Sequence, residues 1–193
     1  MHKVQPNKSF GQHFLKDITV VERTVEIIKN LNFEAKLIEV GPGTGALTSA
    51  LIPDFLDQLT CIEVDERCVE FLHQNYPQLE GKIILKDFLQ VDLSQILNPT
   101  AIIVGNFPYN ISSQIVFKII EYKEFIPAMV GMFQKEVAHR IAAKHGNKEY
   151  GIISVLTQLY YNAEIAFDIL PTAFNPPPKV MSSVLVLTKR DDV

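Results

Sequence analysis

The chain has 193 residues, of which 47% are hydrophobic and 21% charged, with a net charge of −4. That length accommodates one domain with a substantial core, and the apolar runs are far too short to span a bilayer. The opening M-H-K-V-Q-P-N-K-S-F lacks the apolar segment of a secretory signal, and the two cysteines, Cys61 and Cys68, have no zinc-site spacing and read as free thiols of a reducing cytoplasm.

Residues 17–31 place Ile18, Val21, Val25 and Ile28 at helical spacing behind Asp17 as N-cap. The β-type run K-L-I-E-V (36–40) leads into G-P-G-T-G (41–45) and a helical stretch. A second strand, 59–64, runs into a helix that opens at Asp65, and a third, 82–86, ends at Asp87. A fourth, 101–104, ends at N-F-P-Y (106–109), with a helix over 112–121 capped by Ser112. A fifth, 128–133, precedes a helix over 135–144, and 151–161 reads as helical. Alternation of strands and helices implies right-handed β-α-β units and a parallel sheet covered on both faces, an α/β fold. The last two strand-like runs, 163–170 and 180–187, have no helix between them and are expected to add antiparallel strands at the sheet edge.

Ligands of open parallel sheets bind at the carboxyl ends of the strands, near the point where strand order reverses. That rule gathers G-P-G-T-G, Glu63, Asp87 and Asn106 on one rim. The glycines let backbone approach a ligand at a helix N-terminus, but their spacing matches neither a pyrophosphate loop nor a P-loop. Glu63, 22 residues after Gly41, can accept both hydroxyls of a ribose, or be a surface acid beside Asp65. Asp87 can receive an exocyclic amine such as adenine N6, or simply cap a turn. Together they describe a pocket for an adenosine without phosphates, which fits S-adenosylmethionine (SAM) better than a nicotinamide dinucleotide.

The N-F-P-Y tip then has a chemical reading. The Asn106 side-chain oxygen and the Phe107 carbonyl can accept the two N–H bonds of an aromatic amine, Pro108 holds Phe107 extended, and Tyr109 offers a ring for stacking. Two basic clusters stand out against the acidic total: Lys3, Lys8 and Lys16 in residues 1–16 without an acid, and Lys135, Arg140, Lys144 and Lys148 in 135–148 against Glu136 alone. They read as solvated faces unless they flank a site.

These residues resemble a known family. G-Q-H-F-L (11–15), E-V-G-P-G-T-G (39–45), I-E-V-D (62–65), Asp87, N-F-P-Y-N-I-S (106–112), Q-K-E-V-A-H-R (134–140) and F-N-P-P-P-K-V (174–180) are similar, in order, to the ribosomal RNA adenine N6,N6-dimethyltransferases. The likeness is greatest to the bacterial KsgA type that modifies small-subunit rRNA. The resemblance implies a Rossmann-like class I SAM-dependent methyltransferase fold with a seven-stranded, mostly parallel sheet. Residues 1–193 would form one catalytic domain, with 1–16 as an arm over the site and without the helical C-terminal domain usual in the family.

It also implies SAM as cofactor, with no metal, and a monomer acting in the cytoplasm on the small ribosomal subunit, away from membranes. His13 and Leu15 would cover the cofactor, Gly41 and Gly43 would approach it, Glu63 would hold the ribose, Asp87 the adenine amine, and Asn106 the meeting point with the target base. Tyr109 and Phe174 would sandwich that base after it is flipped out of the RNA. Lys8, Lys16, Arg140 and Lys144, the last two one helical turn apart, and Lys179 would contact RNA phosphates. The family pattern has Asn at the position of His13 and Leu or Ile at that of Phe107. Other readings are a large-subunit, antibiotic-resistance relative, a non-catalytic RNA-binding assembly factor, or a transcription factor on the same scaffold, with a dehydrogenase last.

Overall fold

A computed structural model describes residues 4–32, 34–97 and 99–192, so Lys3 of the basic arm lies outside the described residues. The arm contributes a short strand, β1 (Phe14–Leu15). Helix α1 (Ile18–Asn30) starts at Asp17, whose carboxylate accepts the Thr19 and Val20 N–H groups at 3.0 and 3.3 Å. Then come β2 (Lys36–Val40), α2 (Ala46–Phe55), β3 (Leu59–Glu63), α3 (Glu66–Asn75), β4 (Ile83–Leu85) and β5 (Ala101–Asn106). The second half runs α4 (Ser112–Glu121), β6 (Ala128–Gln134), α5 (Lys135–Ala142), α6 (Ile152–Tyr160), β7 (Tyr161–Ile169), β8 (Phe174–Asn175) and β9 (Ser182–Lys189).

Seven strands form one sheet in the order β4-β3-β2-β5-β6-β9-β7. The first five are parallel, and β9 is antiparallel to both β6 and β7. The antiparallel pairing was expected, but β9 inserts between β6 and β7, so of these two strands β7 alone lies at the edge, opposite the β4 edge. The chain winds outward from β2 through β3 to β4, then returns to β5 beside β2. The reversal therefore lies between β2 and β5, which puts the glycine loop and Asn106 at the switch point.

Alternate residues of the central strands feed two cores. Leu37, Leu59, Cys61, Ile102 and Val104 pack with α1, α2 and α3, while Ile38, Ile62, Ala101 and Ile103 pack with α4, α5 and α6. The pattern is that of a parallel sheet buried on both faces. Two expectations shift by local physics. Ser112 lies inside the first turn of α4 and turns its hydroxyl back to the Tyr109 carbonyl, 3.1 Å away, so Ile111 occupies the cap position. Helix α5 stops at Ala142 because the Gln158 amide takes the carbonyls of Ile141 and Ala143, each at 2.8 Å, and Ala143 is extended.

Phe107 is 1% exposed, and its ring lies over Gly105 and Gly131 and meets Phe133 edge-on at 5.1 Å. A Cβ on Gly131 would come within 2.1 Å of the Phe107 ring. The aromatic ring in place of a smaller aliphatic side chain is thus accommodated by glycine on the neighbouring strand. Gly131→Ala is expected to destabilise the protein by about 1–3 kcal/mol through overpacking, and by distinctly less in a Phe107→Leu background. Urea denaturation of the two single variants and the double variant measures this.

Candidate functional site

A cavity opens at the carboxyl ends of β2, β3, β4 and β5, roofed by the arm. Among the residues that line it are His13, Leu15, Gly41, Gly43, Glu63, Asp87, Asn106, Phe107, Pro108 and Tyr109, so the structure brings together most of the residues expected from sequence. Gly41 has φ +68°, and a Cβ there would meet nothing within 4 Å, leaving space against its backbone for a ligand. Gly43 (φ +57°) is covered by the Phe14 ring, which a Cβ would touch at 3.0 Å. Glycine is required at both by the left-handed backbone.

Glu63 is nearly fully buried, and its carboxylate is already engaged. Oε2 accepts the Gly43 N–H, and Oε1 accepts those of Val64 and Asp65, all at 2.9 Å. Expected to take both ribose hydroxyls, it has acceptor capacity left mainly on Oε2. Burial raises its pKa, and the three backbone bonds oppose that rise. Asp87 caps the following turn through Oδ1, which accepts the Leu89 N–H at 2.9 Å, and Oδ2 makes no hydrogen bond among the described residues. The cap and the amine acceptor are therefore compatible.

Three carboxylates, Glu39, Glu63 and Asp87, line this cavity against one lysine, Lys86. A cation suits that lining and a polyphosphate does not. SAM, with its sulfonium and ammonium groups and an adenosine without phosphates, fits the residues present: open backbone at Gly41, a buried carboxylate at Glu63 and a free carboxylate oxygen at Asp87.

At the tip of β5, Asn106 Nδ2 donates to the His13 carbonyl at 2.8 Å, which fixes the amide and leaves Oδ1 as the free acceptor. The Phe107 N–H is bonded to the Met132 carbonyl, 3.3 Å away, while its own carbonyl accepts no hydrogen bond from the described residues. The Tyr109 ring stacks on the His13 imidazole, with centroids 5.3 Å apart and planes at 26°. The His13 Nδ1–H donates to the Pro176 carbonyl at 2.7 Å. The Tyr109 hydroxyl lies 2.5 Å from Ser182 Oγ, and burial raises its pKa while that bond lowers it.

A second cavity adjoins the first and shares Gly11, Gln12, His13 and Tyr109 with it. Lys8, Lys179 and Gln134 lie on its wall, and no acid does. Phe174 departs from expectation. It is completely buried and packs in the core with Leu15 and Val21, because β8 pairs with β1 and sets Phe174 opposite Leu15. It lines neither cavity, and His13 is the ring that meets Tyr109. Lys16 is exposed outside both cavities, and Arg140 pairs with Glu136 at 2.7 Å. Lys144 lies beyond the end of α5, so the expected one-turn spacing with Arg140 does not exist.

Several site residues were not singled out from the sequence. Gln12 ties the arm to the rim by donating to Asp65 Oδ2 at 2.8 Å, and Asp65 is also held by Arg67. Ser182 had no signal beyond its place in V-M-S-S. Glu39 stood in the glycine-loop motif without a role. It is 1% exposed, and burial first, then the nearby Glu63 charge, push its pKa up from 4.5 to about 7.

The fold and this cavity at the switch point define a class I SAM-dependent methyltransferase. The profile of the ribosomal RNA adenine dimethylase family matches residues 3–193. Ribosomal RNA small subunit methyltransferase A of Parabacteroides distasonis is 47% identical over 99% of this chain and 71% of its own length. That of Flavobacterium johnsoniae is 46% identical over 100% and 73%. Among solved structures, a dimethyladenosine transferase from Plasmodium falciparum superposes with a TM-score of 0.81 at 27% identity, covering 93% of this chain and 64% of that one. The 23S rRNA methyltransferase ErmE gives 0.76 at 27%, covering 92% and 70%. The chain belongs to the ribosomal RNA adenine dimethylase family.

Glu39 supplies a pH test. Its folded pKa lies above its unfolded one, so the folded state retains a proton that the unfolded state loses between pH 4.5 and about 7. Stability linked to this group is therefore present below pH 4.5 and lost as pH rises to about 7. Glu39→Gln removes the titration and is expected to gain about 3 kcal/mol relative to wild type between pH 4.5 and 8, read from urea denaturation at both pH values.

Proposed function

We propose that the protein binds SAM in the acid-lined cavity and transfers methyl groups to N6 of two adjacent adenosines of small-subunit (16S) rRNA during ribosome biogenesis. The observation that carries this reading is the free Asn106 Oδ1 beside the free Phe107 carbonyl, at the edge of a cavity suited to a phosphate-free adenosine. The names of the most similar relatives support the small-subunit substrate. Both cysteines are buried free thiols, as a reducing cytoplasm maintains them, and the reading takes the protein to act there as a monomer. Among the described residues no helix is long and apolar enough to cross a membrane.

SAM supplies an electrophilic methyl group on a sulfonium. The chain's own residues bind, orient and exclude water. Gly41 admits the ligand against the backbone, Glu63 Oε2 takes a ribose hydroxyl, and Asp87 Oδ2 takes the adenine amine. Asn106 Oδ1 and the Phe107 carbonyl accept the N–H bonds of the target amine, which concentrates its lone pair on nitrogen and aims it at the methyl carbon. The N–C bond would form as the S–C bond breaks, the cofactor leaving as a neutral thioether and the amine's proton passing to solvent. Pro108 fixes that carbonyl, and Tyr109 carries the flipped base. Phe174 packs in the core opposite Leu15 of the cavity lining, and Lys8 and Lys179 in the second cavity meet the RNA backbone. A second round needs no new group, because one N–H acceptor remains sufficient for the singly methylated amine.

The test supplies radiolabelled SAM with small subunits, large-subunit RNA or a plain duplex. Label is expected on small-subunit rRNA, with Asn106→Ala losing at least ~100-fold in transfer. Label confined to large-subunit RNA would reject the proposed substrate, and SAM binding without label on any RNA would favour an assembly factor. Asp87→Ala is expected to weaken SAM binding about 10-fold or more by calorimetry.

A further inference from the structure

Tyr109 stands where the two cavities meet, and its ring is held from two sides. His13 covers one face, and the Tyr109 hydroxyl meets Ser182 Oγ at 2.5 Å. Ser182 is completely buried at the start of β9, with Gln134 of β6 and Ile169 of β7 as its neighbours across the sheet. Among the described residues its hydroxyl has no hydrogen-bond partner other than Tyr109. The contact joins positions 73 residues apart.

We propose that Ser182 is a positioning residue for the acceptor base. Its hydroxyl ties down the far end of the Tyr109 ring, so that the target adenine meets a preformed plate beside Asn106. The proposal rests on the reading of Tyr109 as the base platform. A tyrosine held through its backbone alone can turn about both side-chain torsions, and ordering it on binding would weaken association with the base. A hydrogen bond at the para position removes that freedom in advance.

The tether is itself anchored. Next to it, Ser183 Oγ donates to Asp168 Oδ1 at 2.6 Å, Asp168 takes Lys135 Nζ at 2.5 Å, and the Lys135 N–H donates to the Met181 carbonyl at 2.9 Å. The start of β9 is thus clamped to β7 and α5, while His13 is held on the same segment at Pro176. Residues 174–182 organise the platform through Pro176 and Ser182, whereas Phe174 remains in the core.

The test is a double-mutant cycle with Ser182→Ala and Tyr109→Phe, the second removing only the phenol oxygen and keeping the ring. Each is expected to lower kcat/KM for small subunits about 3- to 10-fold, with SAM affinity unchanged by calorimetry. The double variant is expected to be no slower than the slower single, because both changes remove one contact. Losses that multiply, a parallel fall in SAM affinity, or full activity of Ser182→Ala would overturn the proposal. Should Ser182→Ala fail to fold, Tyr109→Phe decides, since undiminished transfer would mean that the tether does nothing. Tyr109→Ala separates the two ideas: wild-type transfer by that variant would sink the platform reading itself.

Discussion

Glu63 sits where the glycine loop after β2 meets the turn after β3, and its carboxylate accepts N–H groups from both. Parallel strands that run into helices leave backbone donors unpaired at their carboxyl ends. One buried anion satisfies three of them, at Gly43, Val64 and Asp65. Its charge is balanced by backbone dipoles, with no ion-pair partner among the described residues, so burial can raise its pKa even while the bonds pull the other way. A ligand hydroxyl arriving at Oε2 therefore meets an acceptor whose orientation is already set. The same carboxylate pins the glycine loop at Gly43, so it shapes the cavity that it also lines.

The arm is the second constraint, and it is fastened to the rim at separate points. Gln12 reaches Asp65 beyond β3, the His13 carbonyl takes the Asn106 amide beyond β5, and Phe14 lies over Gly43. The two-residue strand β1 pairs with β8, and the Lys16 N–H is bonded to the Ala173 carbonyl at 2.9 Å. A segment with so little regular structure stays in place through these separate contacts, two of which reach the ends of β3 and β5. The amide of Asn106 shows the benefit: the bond from Nδ2 to the His13 carbonyl fixes which end of the amide is nitrogen, so Oδ1 is the end left to accept.

Much of this was legible in the chain because parallel strands buried on both faces write near-continuous apolar runs, and their ends are marked by Gly41, Glu63, Asp87 and Asn106. What the chain does not write locally is pairing between distant segments. The insertion of β9 between β6 and β7 depends on antiparallel register, which no single run specifies. Phe174 by itself reads as a core aromatic before a proline turn, and only the resemblance placed it against the base; the pairing of β8 with β1 sets its ring in the core. The end of α5 is set by an amide at Gln158, 15 residues beyond Ala143. Ser182 meets a tyrosine for which no motif predicts a partner, and Glu39 acquires its raised pKa only once folding buries it and brings the Glu63 charge near.

The acidic total also becomes intelligible once the charges are placed. A chain of net charge −4 is a poor attractor for RNA as a whole, but acids outnumber lysines three to one on the inner side of the His13–Tyr109 pair, and the outer side has lysines alone. Glu39, Glu63 and Asp87 lie on the cofactor side, while Lys8 and Lys179 lie on the outer side without an acid beside them. Over distances shorter than the ~8–10 Å screening length this separation acts on each ligand locally. A phosphate is drawn to the outer wall and repelled from the inner one, whereas a sulfonium is favoured within. A neutral base is the one part of an RNA strand that can cross from the first environment to the second without an electrostatic penalty. On the proposed function the arrangement favours presentation of a base over a phosphate, and the ring of Tyr109, held at its hydroxyl, stands on the boundary between the two.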